Sequence, residues 1–224
     1  MSEKGISLKE LERKAYASFF QDGVWDLCFG IFLLSFGVGV AISRLPITWG
    51  YVVPDLHVIT LSLYVLSMAV LVAGKRYITV PRLGRVRFGA ARRRRLGSSV
   101  LVLLGSALLG AIVFLLVGGK GIPESWQSAV PSGLLLFAVN ALVVFGLLAY
   151  FLDFRRLYGY GVLWALAFPA SEAVAAHTAL SRASAFLLTT GAFSAVMLIT
   201  GLVLLLRFLR DYPLAAEPAM ENNS

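Results

Sequence analysis

The sequence predicts an all-α protein: an integral membrane bundle of six helices, preceded by an N-terminal amphipathic interfacial helix and carrying a small basic cytoplasmic hairpin. Three observations lead there. Of the 224 residues 58% are hydrophobic and 14% charged, and mean hydropathy is +0.81, whereas a soluble domain has roughly 25% charged residues. Six apolar runs, at about 24–42, 56–73, 96–117, 133–152, 162–176 and 184–208, approach the roughly 20 residues that cross a hydrocarbon core. Finally, all of the 20 Lys and Arg except Arg44, Lys120 and Arg182 lie before the first run, between the second and third, after the fourth or at and beyond the end of the sixth. Lysine and arginine stay on the cytoplasmic side during insertion, so both termini are expected in the cytoplasm.

In chain order, residues 7–20 place Leu8, Leu11, Ala15, Tyr16 and Phe19 on one helical stripe, with Lys9, Glu10, Arg13 and Lys14 elsewhere around it. Ser7-Leu8-Lys9-Glu10 fits a capping box, in which the serine and glutamate each satisfy an orphan N–H. A charged stretch precedes the first run and no small-residue cleavage site follows it, so that run is expected to stay as an anchor. Turn residues punctuate the connections: Pro46 and Pro54, Pro81 and Gly84, Gly118 to Pro131, then Gly159 and Gly161. Trp49, Tyr51 and Trp126 fall at the expected outer interface, and Trp25, Tyr77, Tyr150, Tyr158, Tyr160 and Tyr212 at the inner one. Residues 1–210 therefore read as one transmembrane domain and 211–224 as a disordered cytoplasmic tail.

The connection after the second run is the most distinctive. Ile78 and Val80 alternate on one side of Pro81 to Gly84, and Val86 and Phe88 alternate with Arg85 and Arg87 on the other, a pattern that predicts the hairpin. Together with Arg82, Arg92, Arg93, Arg94 and Arg95, this loop carries basic residues with no acid among them. At a membrane surface each attracts anionic headgroups by about 1 kcal/mol. The net charge of +8 is thereby assigned to lipid, and nucleic acid is not expected as a partner.

Within the runs, three polar residues stand out as transport candidates. Glu172 is about ten residues into the fifth run, which puts it near the bilayer midplane if that run spans upright and at the outer interface if it is tilted. Asn140 lies inside the fourth run, where an amide serves as interhelical glue, and Asp26 in the first turn of the first helix complements its dipole or pairs with Arg155 or Arg156. Asp22 fits the N-cap. Ser35/Gly39 and Ser106/Gly110 are small-xxx-small pairs suited to close helix approach.

No catalytic motif emerges. Gly118-Gly119-Lys120-Gly121 lacks the P-loop spacing, no serine sits in a Gly-x-Ser-x-Gly elbow, and His57 and His177 have no metal-ligand spacing. Cys28 is the only cysteine, which excludes an intramolecular disulfide. No enzyme activity, cofactor or metal is expected.

Asp22-Gly23-Val24-Trp25-Asp26 and Ile78-Thr79-Val80-Pro81-Arg82-Leu83-Gly84-Arg85-Val86-Arg87-Phe88 resemble a family of uncharacterised prokaryotic multi-pass membrane proteins. Its members share an acidic-glycine lead into the first helix and an I-T-x-P-R-x-G-x-V-K/R-F loop. The resemblance covers roughly the first hundred residues. It implies a multi-pass protein of a prokaryotic plasma membrane and carries no assigned activity. Two function classes follow: a non-enzymatic scaffold or anionic-lipid-binding protein, with a membrane-protein partner or a second copy as further company, or a small transporter or channel using Glu172, Asn140 and Asp26.

Overall fold

The structure, a computed structural model, describes residues 20–43, 56–83, 90–118 and 130–213. Among them the chain is all-α, as expected, with no strand. The main helices are α1 (Val24–Ser43), α2 (Leu56–Ala73), α3 (Ala90–Gly118), α4 (Val130–Leu152), α5 (Arg156–His177) and α6 (Arg182–Asp211). The amphipathic helix expected at 7–20 and the tail after 213 lie outside the described residues.

Helix α1 is the hub. It packs between α2 and α6; α6 packs on α5, α5 on α4, and α4 on α3. Rings from α1 also cross the bundle: Phe36 lies 6.1 Å from Phe137 of α4 and 5.7 Å from Trp164 of α5. Against α6 the contact is made by glycine at every seventh position of the chain, Gly23, Gly30 and Gly37. A Cβ at Gly30 would stand 2.8 Å from the Leu198 side chain, and one at Gly37 only 2.0 Å from Thr190 Oγ1. Small residues at such contacts let two backbones approach, and here Ser194 Oγ reaches the Gly30 carbonyl at 2.7 Å. On the α2 side, Ser67 Oγ donates to the Cys28 carbonyl at 2.9 Å.

The apolar surface is distributed unlike that of a soluble core. Val58–Leu83 and Arg182–Asp211 are each long and apolar enough to cross a membrane, yet only 6% and 22% of their most apolar windows are buried inside the bundle. On α3 the outward leucines include Leu101, 73% exposed.

The hairpin is corrected. Its first arm is helical: α2 runs on through a π-helical turn (Gly74–Thr79) and a last α-helical turn (Val80–Leu83). Pro81 has no N–H to donate and its ring collides with the carbonyl four residues back in a regular helix; the wider turn falls just before it. Arg82 Nη1 closes the end by donating to the Ile78 carbonyl at 3.1 Å. Two alternating apolar residues are too short a pattern to outweigh helix continuation. The second arm, at Val86 and Phe88, lies outside the described residues.

Helices α4 and α5 are joined by a tight turn in which Asp153 adopts φ 53°, a left-handed conformation that aspartate tolerates better than most residues. Phe154 is then buried, and its N–H returns to the Ala149 carbonyl at 3.0 Å. This turn starts α5 at Arg156, six residues ahead of the fifth apolar run, and delivers Arg156 to the N-terminal end of α1.

Candidate functional site

At the start of α1 two carboxylates are fully buried, and each holds a cation from a different helix. Asp22 and Asp26 are 0% exposed. Asp22 Oδ1 accepts from the Val24 N–H at 3.2 Å, capping the first residue of α1. Its other oxygen, Oδ2, accepts from Lys75 Nζ at 2.7 Å and from the Thr79 hydroxyl. Lys75 and Thr79 are four residues apart in the π-helical turn, and so share a face.

Gly23 makes the approach feasible. It sits at φ +80°, and a Cβ there would stand 2.2 Å from the Gly201 carbonyl oxygen and 2.7 Å from the Leu205 amide nitrogen. Both the left-handed conformation and the lack of space exclude a side chain. The α1 chain can thus bend over α6 and turn Asp22 toward α2.

One turn further on, Asp26 receives the planar fork of Arg156. Nε donates to Oδ1 and Nη2 to Oδ2, both at 2.9 Å, the bidentate geometry that makes arginine–carboxylate pairs strong. Arg156 Nη2 also donates to the Phe20 carbonyl at 3.1 Å, and the guanidinium lies 4.9 Å over the Phe154 ring. Tyr160, one turn along α5, donates its hydroxyl to Asp26 Oδ1.

The two pairs together carry no net charge, and each of the four carboxylate oxygens accepts at least one hydrogen bond. Such an arrangement fastens helices: α1 is tied to α2 by Asp22 and to α5 by Asp26. No carboxylate oxygen is left free to take a proton from a substrate while the pairs hold.

The three transport candidates do not converge. Asp26 is closed within this clamp. Asn140 Nδ2 donates to Ser106 Oγ at 3.2 Å, joining α4 to α3. Glu172 lies in the last two turns of α5 and not at its centre, because the helix begins at Arg156. Its carboxylate meets Arg182 Nε at 3.5 Å, with side chains 50% and 73% exposed. His177, in the last turn of the same helix, contacts the Ala173 carbonyl through Nδ1 at 2.8 Å.

Of the headgroup candidates, Arg93, Arg94 and Arg95 are exposed on the first two turns of α3, and among the described residues none has an acidic partner. Arg92 is on the same turns, with its side chain outside the described residues. Arg82 is half-buried, its Nε without a hydrogen-bond partner among the described residues. Arg85 and Arg87 lie outside the described residues.

Lys75, Thr79 and Tyr160 are partners of Asp22 and Asp26 that the sequence reading does not include. A signal existed: two acids four apart in the chain, and two donor pairs also four apart, Lys75/Thr79 and Arg156/Tyr160. The glycine heptad Gly23, Gly30 and Gly37 is equally legible in the chain. No protein-family model, no curated protein and no solved structure matches this chain.

Proposed function

We propose that this chain is a six-span protein of a prokaryotic plasma membrane, with both termini cytoplasmic and no catalytic activity, whose basic inner face binds anionic phospholipid headgroups. The observation that carries the reading is the exposed run Arg93 to Arg95 at the N-terminus of α3. That end of a helix already bears a partial positive charge, so arginines there are unfavourable until an anion arrives. A membrane surface rich in anionic lipid supplies it, at about 1 kcal/mol per basic residue.

Three further features support the same reading. The outward apolar faces of α2, α3 and α6 need an apolar solvent. At 22 residues α5 is about 33 Å long, matching a hydrocarbon core of about 30 Å. In this reading Lys75, Arg76 and Arg82 after α2, Arg93 to Arg95 in the first turns of α3, Arg155 and Arg156 at the α4–α5 turn, and Arg207 and Arg210 at the end of α6 share one end of the bundle, and Arg182 takes the other. We include the family resemblance in this proposal, since Asp22 and Thr79, one from each resembling segment, are hydrogen-bonded.

The transporter reading has less support: Asp26 and Asn140 are engaged between helices, and Glu172 meets Arg182 at the exposed far end of α5. Two experiments test the proposal. Because Cys28, the only native cysteine, is buried, cysteines placed at Tyr158 and Arg182 can be labelled selectively. Tyr158→Cys should react from the cytoplasmic side and Arg182→Cys from the other; reaction from one side only would refute the topology. In nanodiscs of mixed phosphatidylglycerol and phosphatidylcholine, the wild type should enrich phosphatidylglycerol and the combined Arg93, Arg94 and Arg95→Gln variant should not. Equal enrichment by both would leave these arginines as orientation signals alone.

A further inference from the structure

Between α5 and α6 the surface opens into a groove of about 550 Å³, within the about 300–1,000 Å³ usual for ligand sites. Arg155 and Arg156 stand at its mouth, and Gly159, Leu163, Val196 and Thr200 line its length. Gly159 faces open space in it: a Cβ there would meet nothing within 4 Å. Its polar groups are already engaged. Thr200 Oγ1 donates to the Val196 carbonyl at 2.7 Å, and the Tyr160 hydroxyl is held by Asp26. What remains is an apolar trough with a cationic opening.

The opening has charge to spare. Arg155 is exposed, with no acidic partner among the described residues. Arg156 uses Nε and Nη2 on Asp26, which leaves Nη1 as its unengaged edge, and its side chain is 28% exposed. Arg207 follows Val196 by eleven residues and Thr200 by seven, within about 20° of the same stripe of α6. Asp26 and Asp153 set against Arg155, Arg156 and Arg207 leave the mouth net positive. From Arg155 to Leu163 the trough runs about 12 Å along α5, close to the depth of one leaflet of an about 30 Å core.

We propose that this groove holds one phospholipid of the inner leaflet, its phosphate at Arg155 and the Nη1 edge of Arg156 and one acyl chain laid along Gly159, Leu163, Val196 and Thr200. A zwitterionic headgroup leaves the surplus positive charge of the mouth unmatched, so the occupant is an anionic phospholipid. The inference rests on the membrane reading above, but not on the arginine run of α3.

Native mass spectrometry after detergent exchange tests it, with phosphatidylglycerol or phosphatidylcholine added back. Wild type should retain one phosphatidylglycerol in preference to phosphatidylcholine. Gly159→Leu, whose Cβ would meet no neighbour within 4 Å and whose longer side chain adds bulk to the trough, should weaken retention about tenfold at unchanged thermal stability. Arg155→Gln should reduce the preference over phosphatidylcholine. The Arg93, Arg94 and Arg95→Gln variant should keep the retained lipid. If both groove variants retain phosphatidylglycerol like the wild type, the groove assignment is wrong, whatever the arginine run does in nanodiscs. Loss in Gly159→Leu without nanodisc enrichment by wild type would uphold the groove and overturn the arginine run.

Discussion

The two ends of the bundle hold the same chemical pair, a carboxylate and a guanidinium, in opposite surroundings. At one end Asp26 and Arg156 meet through two bonds of 2.9 Å, with side chains 0% and 28% exposed. At the other, Glu172 and Arg182 meet at a single 3.5 Å contact, half-exposed or more. Position in an apolar run drew attention to Glu172; burial and full hydrogen bonding mark Asp26. An ion pair is consequential where its carboxylate has lost water and each oxygen is hydrogen-bonded, since breaking it strands a charge. Where both groups remain hydrated, either can leave with little effect.

That contrast can be broken most directly at Arg156. Arg156→Ala leaves Asp26 buried with only Tyr160 as a side-chain donor, and should destabilise the protein by about 3–5 kcal/mol, read as a lowered midpoint in denaturant titration of detergent-solubilised protein. If Asp26→Asn combined with Arg156→Gln is as stable as wild type while each single change is not, the pair contributes specificity rather than net stability. Gly23→Ala should come next, about 2–3 kcal/mol, because a side chain is added to a left-handed residue against the α6 backbone. A thermal midpoint equal to wild type would mean that α1 and α6 separate more readily than their packing indicates.

Smaller effects sharpen the other side of the comparison. Asn140→Leu removes the donor to Ser106 and should lower stability by about 0.6 kcal/mol, the usual size of an interhelical hydrogen bond in a membrane. A loss of several kcal/mol would show that this α3–α4 bond is as consequential as the clamp. Glu172→Gln should change stability by about 0–1 kcal/mol, with the effect fading in high salt as exposed pairs are screened. A large, salt-independent loss would place Glu172 in the same class as Asp26 and undo the comparison.

The sequence was most legible where structure is local. The stretches 24–42 and 184–208 read as helices because twenty or so consecutive apolar residues satisfy their backbone only within a helix when water is absent. Helix α5 begins six residues ahead of the fifth apolar run because Arg156, Tyr158 and Tyr160 make its first turns too polar for an apolar window, although nothing in them opposes helix. The first arm of the expected hairpin is helix instead because alternation over two residues weighs less than continuation of α2. The pairing of Asp26 with Arg156 was one of two options read from the chain, Arg155 being the other. The turn at Asp153 decides between them by turning Arg156 inward toward α1 and leaving Arg155 outside.

Composition, apolar run length and the alternation of basic residues are properties of neighbouring residues, and they suffice for an all-α chain whose long helices turn apolar faces outward. Partners 53 and 130 residues apart, Asp22 with Lys75 and Asp26 with Arg156, depend on which helices pack and at what rotation about their axes. A shift of one residue turns a helical side chain by about 100°, enough to swing either carboxylate away from its cation. The glycine contacts of α1 on α6 and the π-helical turn of α2 set those rotations, and they exist only once the helices have packed.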